Sequence, residues 1–347
     1  MPATRDPWFD NAKMALMTLV VLGHAWSIWL PATPANSWAY DFLYVWHMPA
    51  FVLLSGYFSR SFDWTSRRLK LLVGSLVVPF VLYQVLLVLF QVEIGWGTPE
   101  HPFLEPLWPL WYLVALVAWR LVAPVFRMVP PHVAVAAAVG VSLLGGTVDT
   151  PYLGLSKVLG MLPFFVIGLV ATREHVERLR SPQVQLLGIG ALLSTLWWVR
   201  HLDSGTTIYW LLHRPYALIG VSDTEGVVTR AVVLTVSLVC ALAALSLVPG
   251  REGTWTRMGT ATMTVLLGHA FVVRGAEARG LFDWTDTHES LGRVVVVAVA
   301  VGLSAFLASQ RVERCLAPVT DPVGWWRARR STTPAVDRER VSQPATR

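Results

Sequence analysis

The chain has 347 residues, 54% of them hydrophobic and only 14% charged, with a mean hydropathy of +0.52. Soluble domains carry about one quarter charged residues, so this balance argues against a soluble domain and for a polytopic membrane protein. The net charge of +6 needs no nucleic acid, because scattered cytoplasmic anchors account for a basic membrane protein.

Ten apolar stretches read as membrane helices, at roughly 14–30, 42–58, 71–91, 108–126, 132–146, 152–171, 183–199, 230–248, 260–274 and 292–309. A span needs about 20 apolar residues, and the fifth and ninth are short. With the N-terminus inside, most of the 28 lysines and arginines fall in cytoplasmic segments, including every arginine from Arg311 onward. The sequence therefore predicts an all-α integral membrane fold. It has about ten transmembrane helices in one bundle, both termini cytoplasmic, in the cell membrane. Residues 1–310 form the membrane domain and 311–347 a polar tail, expected to be disordered.

The first helix contains Asp10, Lys13 and His24 in "DNAKMALMTLVVLGHAW". Asp10 and His24 are poor signal-peptide residues. Lys13 and His24 are eleven residues apart, close to three full turns, so they share one face about 16 Å apart along the axis. Lys13 then sits at the cytoplasmic edge and His24 near mid-membrane. Asp10, one turn earlier, is placed to pair with Lys13. A histidine at that depth faces a cavity or a partner, and is the natural general base at neutral pH. The alternative is a histidine that only joins two helices by a hydrogen bond.

The second helix carries Trp46 and His47 in "YVWHMPAFVLLSGYFSR", with Pro49 two residues on. A proline there opens a kink that can line a cavity, and Ser55 and Gly56 suit close helix packing. Before the third helix, Arg67, Arg68 and Lys70 are either positive-inside anchors or a phosphate clamp. Trp108, Trp111 and Tyr112 open the fourth helix in "PLWPLWYLVAL", as an interfacial belt or a surface for stacking a sugar ring. Trp29, Trp38, Trp96 and Trp284 read as belt residues.

The connection from 200 to 229 includes "TTIYWLLHRPYALIG", Thr206 to Gly220, apolar enough to dip into the bilayer. The ninth helix repeats the first in "VLLGHAF", which places His269 in the same local setting as His24. Cys240 and Cys315 are too few and too far apart for a disulfide framework, and no metal site is expected. No P-loop, GxSxG, HExxH or CxxC pattern is present.

Together these motifs resemble the acyltransferase-3 family of integral membrane acyltransferases, most closely its fucose 4-O-acetylase-like branch. The resemblance rests on "FDNAKMALMTLVVLGHA", "WHMPAFVLLSGY", "RRLKLLVGSLVVPF", "LWPLWYLVAL" and "TMTVLLGHAF". It covers about residues 8 to 310. It implies a ten-helix bundle that passes an acyl group from cytoplasmic acyl-coenzyme A, acetyl by default, to a hydroxyl of a glycan, cell-envelope component or small-molecule metabolite. His24 becomes the catalytic histidine, and Asp10 at the start of the motif a second catalytic residue. Lys13, Arg67, Arg68 and Lys70 face the coenzyme's phosphates. His47, Trp46, Trp108, Trp111, Tyr112 and His269 line the acceptor side. Many family members have arginine where this chain has Lys13, a point charge rather than a fork. Direct transfer and an acyl-histidine relay both stay open. The rival readings are a secondary transporter of a small polar solute, for which internal repeats are missing from the sequence, and a non-catalytic sensor.

Overall fold

The computed structural model describes residues 6–29, 37–202, 212 and 214–331. In chain order the helices are α1 (Pro7–Trp29), α2 (Ser37–Phe58), α3 (Ser66–Glu93), α4 (Trp108–Phe126) and α5 (Pro131–Leu144). Then come α6 (Leu155–Val170), α7 (Arg173–Leu179), α8 (Pro182–Arg200), α9 (Asp223–Ser246) and α10 (Thr254–Met258). The last five are α11 (Thr262–Ala278), α12 (Asp283–Thr287), α13 (Glu289–Leu307), α14 (Gln310–Thr320) and α15 (Pro322–Ser331). Among the described residues there is no strand.

Each of the ten apolar stretches forms a helix, and the five short helices, α7, α10, α12, α14 and α15, lie between or after them. Four helices are long and apolar enough to cross a membrane: α3, α4, α6 with the turn before it (Tyr152–Val170), and α9. A fifth joins them if Leu291–Leu307 and α14, bent by 71°, count as one span. Helices α1 and α2, of 23 and 22 residues, are long enough but less apolar. Asp10, Asn11, Lys13 and His24 lower the hydropathy of α1, and His47 with its aromatic neighbours that of α2.

Within the stretch expected as a polar tail, residues 311–331 form helix, in α14 and α15. Apolar residues of α14, Val312 and Val319, pack on the core. The Val323 side chain lies against Gly74, 3.2 Å from where a β-carbon would stand. Gly74 belongs to a stretch of π-helix, Val73–Val77, inside α3. Residues 332–347 lie outside the described residues.

Helix α1 starts where the Asp6 carboxylate accepts the Trp8 N–H at 3.0 Å, a cap for the first turn. Helices α2 and α6 cross at closest approach through two glycines. A β-carbon on Gly56 would overlap the Phe165 carbonyl, and one on Gly168 the Leu53 carbonyl. Small residues at a membrane helix crossing bring backbones into van der Waals contact, which is the packing force available in lipid. Each of the two helices also carries an internal proline, Pro49 in α2 and Pro163 in α6.

The segment at Thr206–Gly220 falls partly on residues outside the description. Its described end packs inward: Tyr216 is fully buried, and its hydroxyl donates to the Leu143 carbonyl at 2.9 Å. Arg230 of α9 is also fully buried, over the Tyr216 ring, and donates to the Ser142 and Arg214 carbonyls.

Candidate active site

Helices α1 and α11 pack together in the core and bring the two "LGHA" echoes face to face. His24 Nδ1 lies 2.7 Å from His269 Nε2, and His269 Nδ1 lies 2.9 Å from the Val265 carbonyl oxygen. A carbonyl only accepts, so His269 Nδ1 carries a proton. A neutral imidazole carries one proton, so His269 Nε2 is the acceptor and His24 Nδ1 the donor. The proton order leaves His24 Nε2 with its lone pair, and among the described residues it has no protein partner. The pair is thus arranged as a base with an orienting group behind it.

The His24 ring is stacked on Trp108, with ring centroids 4.6 Å apart. On the same indole rests the Arg274 guanidinium, 3.9 Å from the ring centroid, itself paired with Glu277 at 2.7 Å. The Trp108 backbone has φ 38, a left-handed conformation that a bulky residue rarely adopts. Such a residue costs about 1–3 kcal/mol and persists where its surroundings over-determine it, here through the His24 and Arg274 contacts of its ring.

Beside His24 is a narrow hollow of about 20 Å³, walled by Met17, Met48, Phe51, Trp111 and Tyr112 among others. That is room for about one water, so an acyl group enters only as these side chains part. Two of them are methionines, which repack at low cost. Tyr112 presents its ring here, because its hydroxyl is bonded to Ser55 Oγ, which donates to the Phe51 carbonyl at 2.9 Å.

At the other end of α1 the chain opens into a larger cavity, about 440 Å³. Lys13 and Asp10 line it, joined by an ion pair of 2.6 Å. Asp10 is almost fully buried while Lys13 stays partly open, so the pair aims the ammonium into the cavity. Arg173 and Arg180 line the far wall, and Phe9, Tyr57 and Phe58 the aromatic one. Asn11 anchors the turn behind, donating to the Pro249 and Arg251 carbonyls at 2.8 and 2.9 Å.

Arg67, Arg68 and Lys70 are exposed at the start of α3, and none lines the Lys13 cavity. Arg68 instead lines an adjoining hollow of about 110 Å³ with Arg120, and Phe58 borders both spaces. The loop before α3 is shaped by Asp63, which accepts from the Thr65 hydroxyl at 2.6 Å and from its N–H. These bonds hold the Asp63 carboxyl below its usual range.

His47 is buried, its Nδ1 2.8 Å from the Leu43 carbonyl, and it does not line the hollow at His24. Trp46 does not line the hollow at His24; it packs toward Phe42 and the Leu43–Tyr44 cluster. Arg120, Arg173 and Arg180 also line the Lys13 cavity and its adjoining hollow, where the positive-inside pattern alone makes them cytoplasmic anchors. Nothing in their local sequence separates a cavity arginine from an interfacial one.

Among the described residues no group of three or more His, Cys, Asp or Glu is placed to hold a metal ion. The helical fold and the apolar helices define an integral membrane protein. The acyltransferase-3 family, described as an acyltransferase domain, matches residues 6–309, and the chain belongs to that family. It is thereby a transferase of acyl groups. No curated protein and no solved structure gives a significant match.

Proposed function

We propose that this protein is a membrane O-acyltransferase that moves an acyl group, acetyl in the simplest case, from acyl-coenzyme A to an acceptor hydroxyl. The observation that carries the reading is the His24–His269 pair, which leaves His24 Nε2 free as a base. The acceptor is a glycan, a cell-envelope component or a metabolite of the branch of fucose 4-O-acetylase-like enzymes. All ten apolar helices cross the cell membrane, with both ends of the chain in the cytoplasm.

The donor enters at the Lys13 end. Its phosphates meet Lys13, Arg173 and Arg180 in the larger cavity, and Arg68 with Arg120 across Phe58. The aromatic wall suits the adenine ring. A pantetheine arm then follows α1 inward for about 16 Å. His24 Nε2 takes the hydroxyl proton as the acceptor oxygen attacks the thioester carbonyl. The carbon–sulfur bond breaks, and the departing thiolate recovers that proton from His24. His269 holds the tautomer throughout and shares the positive charge that His24 gains.

The test is transfer or hydrolysis of radiolabelled acetyl-coenzyme A by the protein in nanodiscs. Turnover by the native chain, lost in His24→Ala with unchanged thermal stability, is the expected result. Full turnover by His24→Ala would sink the assignment of the base.

A further inference from the structure

One cation near the site has no part in this reaction. Lys157 lies near the start of α6, whose other end, at Val170 and Ala171, reaches the Lys13 end of the bundle through Arg60. Lys157 is therefore at the opposite, His24 end. Its Nζ stands 5.4 Å from the centroid of the Trp111 ring, and Trp111 walls the hollow at His24.

Among the described residues Lys157 makes no ion pair and no hydrogen bond. An indole face attracts an ammonium without neutralising it. An unpaired cation at membrane depth is costly and marks a ligand site or a pathway. Among the described residues no carboxylate stands within ion-pair distance of Lys157, and the nearby arginines have their own partners: Arg274 keeps Glu277 and Arg230 is spent on backbone carbonyls. Arg274 also rests on the Trp108 indole that stacks on His24.

We propose that the acceptor is an anionic molecule, whose carboxylate or phosphate pairs with Lys157 while its hydroxyl meets His24 Nε2. The inference rests on the acyl-transfer reading for what the anion does there, and on Lys157 alone for where it binds. A hydroxyl one aromatic ring away from a fixed counter-ion is held for attack, which is how a weakly nucleophilic group is positioned.

Nanodisc-embedded protein is titrated with methyl phosphate and, separately, with acetate, following tryptophan fluorescence. A saturable response to at least one of them is expected, and the tighter probe tells phosphate from carboxylate. Lys157→Gln weakens that response at least tenfold, and Lys157→Arg, which keeps the charge, restores it and controls for folding. No saturable response in the native chain overturns the proposal, as does equal binding by Lys157→Gln. The same samples are assayed for acetyl-coenzyme A turnover. Lys157-dependent anion binding without turnover would sink the acyl-transfer reading and keep the site. Turnover without anion binding would do the reverse.

Discussion

His24 and His269 stand 245 positions apart in the chain and meet at 2.7 Å. The contact explains why the same four residues recur. Each histidine lies one position after a glycine in its helix, and Gly23 lets the Tyr44 ring approach to 3.0 Å of where its β-carbon would be. The direction of the hydrogen bond follows from Val265, whose carbonyl claims the His269 Nδ1 proton. His269 is thus a positioning residue. Loss of such a general base costs roughly 10²–10⁴-fold in rate, the range expected for His24→Ala. For His269→Leu we expect a smaller fall in kcat, with the KM for acetyl-coenzyme A unchanged. His269→Gln, whose amide oxygen can accept from His24, should recover part of the loss. A merely structural role would instead show as equal losses in both variants together with a lower melting temperature.

The donor end yields a prediction of the opposite kind. Lys13 is aimed by a nearly buried Asp10, and no element of the histidine pair depends on it. Lys13→Ala and Arg180→Ala should raise the KM for acetyl-coenzyme A and leave kcat nearly intact. Ion pairs open to solvent are worth about 0.2–1 kcal/mol, and taking that scale for the contact with a phosphate makes each change roughly 1.4- to fivefold. Within the basic run, Arg68→Ala should have more effect than Arg67→Ala, because Arg68 lines a hollow beside Phe58. Initial rates over a range of donor concentration decide this, and a larger effect from Arg67→Ala would refute the placement.

Much of this architecture is legible in the sequence, for reasons of length and period. The apolar stretches are long, and each one folds as a helix. The Asp10–Lys13 pair follows from one turn of α1, and is found at 2.6 Å. The meeting of His24 with His269 is a tertiary contact between α1 and α11, and no local pattern could reveal it beyond the repeated motif. Arg173 and Arg180 belong to α7 and the turn after it, too short and polar for hydropathy to register. Helices α14 and α15 are hidden in the same way. The amphipathic face of α14 rests on the core, while its charged face reads like a solvated tail.

The crossing of α2 and α6 should be intolerant of side chains. At Gly168 a β-carbon would strike the Leu53 carbonyl, which is backbone and cannot rotate away. Overpacking a tight site costs typically about 1–3 kcal/mol, more where backbones must separate. Gly168→Val should therefore lower the melting temperature in detergent and cut the yield of monodisperse protein. Gly140→Val is the control, because a side chain there meets nothing within 4 Å. Equal stability of the two variants would show that the helices cross elsewhere.

The orientation of the chain can be read from its own cysteines. Cys240 is buried and Cys315 is exposed on α14, directly after the last apolar helix. The reading proposed above puts the arginine-rich segment from Arg311 onward in the cytoplasm, as the positive-inside rule expects. A membrane-impermeant maleimide should then leave Cys315 unlabelled in intact cells and label it once the cells are permeabilised. Cys315→Ser should abolish the signal, which assigns it to this position. Labelling of intact cells would put α14 outside. With ten crossings the Lys13 cavity would then lie outside too; it could stay cytoplasmic only if the number of crossings between them were odd, and the route proposed for the donor would have to be redrawn.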